Sequence, residues 1–145
     1  MIYGGAMITH IVHPTMVNLL WPVVYPYLRK SFKRAPDPLE DNYFPSLLEN
    51  DTSLMLAIFL IHKPDICCGA AILQDTGESL HVRHLSGSMP KNWALEFDAW
   101  LVQTAKSIYR PAITSQGRKG WDRVLKPLGF IRMHNGTLYK AIIGG

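Results

Sequence analysis

The chain has 145 residues, 48% of them hydrophobic and 18% charged, with a net charge of +4. That balance excludes a disordered chain, which needs low hydrophobicity and high net charge, and the length is that of a single domain spanning residues 1–145. The longest unbroken apolar run, Leu54 to Ile61, has 8 residues against the roughly 20 of a membrane-spanning helix, and no basic-then-apolar leader opens the chain, so no membrane partner and a cytoplasmic location are expected.

In chain order, Met1 to Ala6 reads as a short extension, and Ile8 to His13 as a first strand. Pro14-Thr15 opens an apolar segment with Met16, Val17, Leu20, Val23, Val24, Tyr27 and Leu28 near helical spacing. Pro22 and Pro26 are expected to kink or split that helix, because each removes an N–H and crowds the preceding turn. Leu39 to Leu48 reads as a second short helix. Leu54 to Ile61 is apolar on both faces, as in a central strand covered by helices on both sides. Ile66 to Gln74 and Leu80 to Leu85 complete an antiparallel meander with short turns. On the last of these, strict alternation puts Leu80, Val82 and His84 on one face and His81, Arg83 and Leu85 on the other. Trp93, Phe97, Trp100, Leu101, Ala105 and Ile108 trace one face of a helix within Pro90 to Tyr109. Ala112 to Ser115 is a short strand and Arg118 to Leu128 an amphipathic helix stopped by Pro127 and Gly129. Phe130 to Met133 and Leu138 to Ile143 flank Asn135-Gly136, a strong hairpin signal. The order β-α-α-β-β-β-α-β-α-β-β gives an α/β (α+β) fold: a mixed, mostly antiparallel sheet of six to seven strands with helices on both faces.

Charge is unevenly placed. From Lys106 onward, Lys106, Arg110, Arg118, Lys119, Arg123, Lys126, Arg132 and Lys140 face one acid, Asp122, giving +7 and leaving −3 for the rest. A basic third points to an anionic partner, or else to a solvated face with none; nucleic acid is disfavoured, since no interleaved aromatics or recognition motif accompany the charge. Cys67 and Cys68 are adjacent, so a strand sends them to opposite faces, and both read as small core residues rather than a disulfide or zinc pair. The six histidines show no metal-ligand spacing, so no metal is expected.

The order of elements resembles the GNAT superfamily of acyl-CoA-dependent N-acetyltransferases over nearly the whole chain, about Met7 to Ile143. The specific pieces are GRKGWDRVLKPLGF (Gly117 to Phe130), like the superfamily's penultimate helix and following strand, the strand CCGAAIL, and the strand–loop–helix unit LHVRHLSGSMPKNW. The mix is also similar to GNAT-like proteins of tailed phages. The resemblance implies acetyl-CoA as acyl donor, an amine as acceptor, and a diphosphate site built from Leu85, Ser86, Gly87, Ser88, Lys91 and Asn92, with Arg118 nearby. The supporting physics is general: a helix N-terminus carries unpaired N–H donors and partial positive charge. A backbone N–H near Leu85 would polarise the acyl carbonyl, and His84 is the candidate base for the attacking amine. Several positions depart from the pattern. The diphosphate loop has one glycine, and the positions that in the superfamily often hold an Asn, a small residue and an acidic Tyr hold Arg118, Trp121 and Leu125. Two functions are therefore expected: an N-acyltransferase or acyl-CoA-binding protein, or a catalytically degenerate GNAT-like interaction or structural component, for example of a phage virion or its assembly, with a protein partner or homo-oligomeric state.

Overall fold

A computed structural model describes residues 7–34, 37–39, 41–61, 66–116 and 121–142. Seven strands form one sheet: β1 (Met7–Val12), β2 (Leu54–Ile61), β3 (Ile66–Asp75), β4 (Leu80–Gly87), β5 (Ala112–Ser115), β6 (Ile131–Arg132) and β7 (Leu138–Ala141), ordered β1-β2-β3-β4-β5-β7-β6. Every pairing is antiparallel except β4 with β5. The helices are α1 (Val17–Arg34), α2 (Phe44–Asn50), α3 (Trp93–Ser107) and α4 (Asp122–Leu125). The sheet is therefore mixed and mostly antiparallel with helices on both faces, as its sequence pattern implies.

Each face has its own core. On one side Val24, Leu28, Phe44 and Leu48 of α1 and α2 pack on Leu56, Ile58, Ala70 and Ile72. On the other, Phe97, Leu101 and Ala105 of α3 pack on Phe59, Leu73, Leu80, Val82, Ile113 and Leu138. Cys67 and Cys68 divide between these two cores, as alternation requires; both are free, and only Cys68 is fully buried.

Helix α1 is one element, not two, although Pro22 and Pro26 lie inside it. Both prolines are on its exposed side, so the carbonyls they leave unpaired face water. An interior proline costs about 3 kcal/mol. Complete burial of Val17, Val24 and Leu28, at about 2 kcal/mol each, offsets two of them. The expected second helix starts later, with a 3-10 turn at Asp41–Tyr43 leading into α2. The helix expected over Arg118 to Leu128 is, among the described residues, α4 followed by a 3-10 turn Lys126–Leu128, closed by Gly129 in the left-handed conformation at φ 101°. Met1 to Ala6 and Arg118 lie outside the described residues.

Candidate active site in the split between β4 and β5

Parallel pairing of β4 with β5 joins only Leu80, His81 and Val82 to Ile113, Thr114 and Ser115. Beyond Val82, strand β4 keeps β3 as its partner while β5 ends at Ser115. The two strands thus form a V. His81 holds its closed end through Nδ1 and the Thr114 hydroxyl, 2.8 Å apart. Burial lowers the His81 pKa from its usual value, with Arg83 and His84 adding to the shift.

A cavity of about 200 Å³ occupies the opening. It crosses the plane of the sheet: Ala94, Phe97 and Leu101 line it from α3, Ser31 and Arg34 from the end of α1, and Val82 to Leu85 from between. Trp121 and Leu125 form part of its wall with Phe130. The Trp121 ring sits edge-on against Trp93 with centroids 5.1 Å apart. It narrows the V without filling it. Leu125 contributes no acidic proton, and Tyr139 is on β7 away from the lining.

Strand β4 carries a bulge at Arg83: Leu73 pairs with Val82 and the next β3 residue, Ile72, pairs with His84. The extra residue breaks the alternation expected from sequence. Leu80 and Val82 face α3, whereas His84 faces α1, against the rings of Phe32 and Phe44 at 4.6 and 5.7 Å. His84 is 3% exposed, with Nδ1 2.8 Å from Ser31 Oγ and Nε2 2.9 Å from Asp37 Oδ2. Asp37 also accepts from Arg83 Nε and Nη2, at 2.7 and 2.6 Å, and from the Leu39 amide at 2.9 Å. Burial raises the Asp37 pKa, but these donors outweigh it and hold the carboxyl down at about 2. Burial lowers the His84 pKa, against the opposing pull of Asp37. An ionised Asp37 accepts only, so Nε2 of His84 carries the hydrogen and a neutral ring leaves Nδ1 to accept from Ser31. The result is a relay Ser31–His84–Asp37, anchored by Arg83.

The expected diphosphate loop is shorter than the sequence implied, because β4 runs on through Gly87. Gly69 and Gly87 face each other in the ladder, and a Cβ on Gly87 would sit 2.4 Å from the Cys68 carbonyl oxygen. The close approach that Gly87 permits is therefore to β3. Ser88 N–H donates to that Cys68 carbonyl at 2.7 Å, and buried Ser86 pairs with Ala70. By the alternation of an antiparallel ladder, an inward Ser88 N–H turns the N–H groups of Leu85 and Gly87 toward the unpaired side, into the V. Lys91 and Asn92 are exposed at the start of α3, and the amides of Lys91, Asn92, Ala94 and Leu95 meet no backbone acceptor among the described residues. The basic third is less free than its count implies: Arg110 pairs with Asp75, Arg132 with Asp122, and Lys140 with Asp98.

The structure places His84, singled out from sequence, beside Ser31 and Asp37, which sequence reasoning did not single out. They lie 53 and 47 residues from His84 along the chain, and no local motif links them. Among the described residues no cluster of histidine, cysteine and carboxylates could hold a metal, and no helix is long and apolar enough to cross a membrane.

The sheet splits with a helix N-terminus at its open end, and comparison with solved structures finds the same fold. The chain has the GNAT acetyltransferase fold. It is similar to an N-acetyltransferase from Staphylococcus aureus Mu50 (TM-score 0.67, 11% identity, 96% of this chain and 99% of that one). It is also similar to N-acetylglutamate synthase from Neisseria gonorrhoeae complexed with coenzyme A and N-acetyl-glutamate (TM-score 0.69, 11% identity, 96% of this chain and 36% of that one). A third match is a predicted acetyltransferase with acetyl-CoA from Clostridium acetobutylicum (TM-score 0.62, 18% identity, 89% and 92%). No protein-family model and no curated protein matches the sequence.

Proposed function

We propose that the protein is an acyl-CoA-dependent N-acyltransferase acting on an amine. The observation that carries this reading is the cavity that passes through the sheet where β4 and β5 part. Such an opening lets a thioester approach from the α3 side and an amine from the α1 side, so that the two meet in line with the sheet. Two of the similar structures hold coenzyme A or acetyl-CoA, which supports the same donor here.

The residues fit a CoA thioester, with a reduced set of contacts. The free amides at the start of α3, with Lys91 beside them, suit a diphosphate. Of the sequence-derived set, Lys91 and Asn92 keep this role. Leu85 supplies a backbone N–H for the thioester oxygen, with Gly87 next to it on the same edge. Ser86 and Ser88 direct their N–H groups to β3 and contribute side chains at most. Arg118 remains an expected phosphate contact. His84 is the base, and it takes the amine proton through the Ser31 hydroxyl, because both of its ring nitrogens are already bonded.

Calorimetry with acetyl-CoA and with CoA tests the reading. Binding of both is expected, and absence of heat at millimolar ligand removes it. A stable homo-oligomer or protein complex without CoA binding would instead favour the interaction-component reading, for which Trp121 and Leu125 in place of a small residue and a tyrosine are the motive.

A further inference from the structure

The relay Ser31–His84–Asp37 has more in it than a proton path. Its three members come from three segments, the end of α1, the segment after it, and the bulge of β4; Ser31 and His84 line the cavity, and Asp37 holds His84 from behind. A neutral histidine that accepts from a serine hydroxyl while donating to an ionised carboxylate is the arrangement that activates serine as a nucleophile. Ser31 Oγ has no other hydrogen-bond partner among the described residues. Asp37 is locked by the Arg83 fork, so the ring it orients cannot swing away. The bulge at Arg83 is what turns His84 to this side; without it the imidazole would face α3. The backbone N–H of Leu85, turned into the same opening, lies on the edge where an oxyanion would need a donor.

From this geometry we infer a second activity: Ser31 is an acyl-accepting nucleophile, and the protein hydrolyses acyl thioesters and activated esters through an acyl-serine. Ser31 Oγ attacks the carbonyl carbon and its proton passes to His84 Nδ1. The C–S bond breaks, and the departing thiolate takes that proton to leave as thiol. Water then adds to the serine ester and gives a proton to His84 Nδ1. The bond from carbon to Oγ breaks, Oγ recovers the proton, and the carboxylic acid ionises to solvent. Thioester and water become carboxylate, thiol and one proton, with no redox change. The same ester could be opened by an amine, so this inference shares the cavity of the acyltransferase reading without depending on CoA recognition.

The test uses the full chain with a fluorophosphonate, with p-nitrophenyl acetate and with acetyl-CoA, followed by peptide mass spectrometry. Expected is a covalent adduct on Ser31 from the fluorophosphonate, p-nitrophenol release that falls at least a hundredfold in Ser31→Ala, and a transient acetyl group on Ser31. Ser31→Ala deletes one oxygen from a helix, and a thermal melt beside wild type checks that it folds. Ser31→Cys provides a control: its thiol is expected to take an acetyl group from p-nitrophenyl acetate in place of the hydroxyl. A folded wild-type protein that shows no adduct on Ser31, or ester turnover equal in Ser31→Ala, overturns the inference. If Ser31 is labelled but no CoA binding is found, the hydrolytic relay stands and the transferase reading falls; CoA binding with an unreactive Ser31 gives the reverse.

Discussion

Asp37→Asn replaces a carboxylate by the neutral isostere of its protonated form, while leaving an oxygen that can still accept from Arg83. The folded-state pKa is about 2 against an ordinary 3.8. A shift of nearly two units at 1.36 kcal/mol per unit is worth about 2 kcal/mol of folding stability. The side chain is only 8% exposed, so solvent screens little of it. The sign is that of a depressed acid: the contribution is complete above the unfolded value of 3.8 and is lost as pH falls through about 2. In urea, with a slope of about 2 kcal/mol per molar for a domain this size, the variant's midpoint at pH 7 is expected about 1 M below wild type. The gap should persist at pH 4, narrow clearly by pH 3 and nearly close at pH 2. Equilibrium unfolding followed by circular dichroism at those pH values reads it directly. A gap that is constant across the range, or absent at pH 7, would refute the account of Asp37 as an ionised anchor for Arg83 and His84.

Other consequences concern the site. Gly87→Ala places a methyl 2.4 Å from the Cys68 carbonyl oxygen and 2.5 Å from the Gly69 Cα; backbone cannot yield as a side chain can, so a loss of about 1–3 kcal/mol is expected in a thermal melt. Leu125→Tyr puts a phenol into the cavity wall, and if thiolate departure lacks an acid, thiol release from acetyl-CoA in the presence of an amine should rise roughly tenfold or more; an unchanged rate places the limit elsewhere. Burial lowers the His84 pKa below its usual 6.5, and the base must be neutral, so the rate should be level around neutrality and fall only below about 6.5. Lys91→Glu should weaken CoA several-fold in calorimetry, with a smaller effect at high salt.

Local pattern was enough for much of the fold. Strand Leu54–Ile61 is apolar throughout because it lies between β1 and β3 with a helix layer on each face, and the helix face from Trp93 to Ile108 is periodic because one side of α3 meets the sheet. Asn135-Gly136 marked the final hairpin. These features arise from nearest neighbours and from one buried side per element, which a linear code can carry.

Other features depend on residues far apart in sequence. Nothing within Leu80 to Gly87 announces that Arg83 is an extra residue; the bulge exists only in the register between β4 and β3, and it alone decides which side of the sheet receives His84. The continuity of α1 through two prolines follows from what its buried side touches. The order β5-β7-β6, the parting of β4 from β5, and the meeting of Ser31, Asp37 and His84 are likewise set by packing. The kinds of element, their order and the corner where β4 leads into α3 were therefore legible along the chain, since each rests on local periodicity and turn chemistry. Which polar side chains meet beside the cavity is settled by packing, because a hydrogen bond between residues some fifty positions apart leaves no periodic trace in the chain.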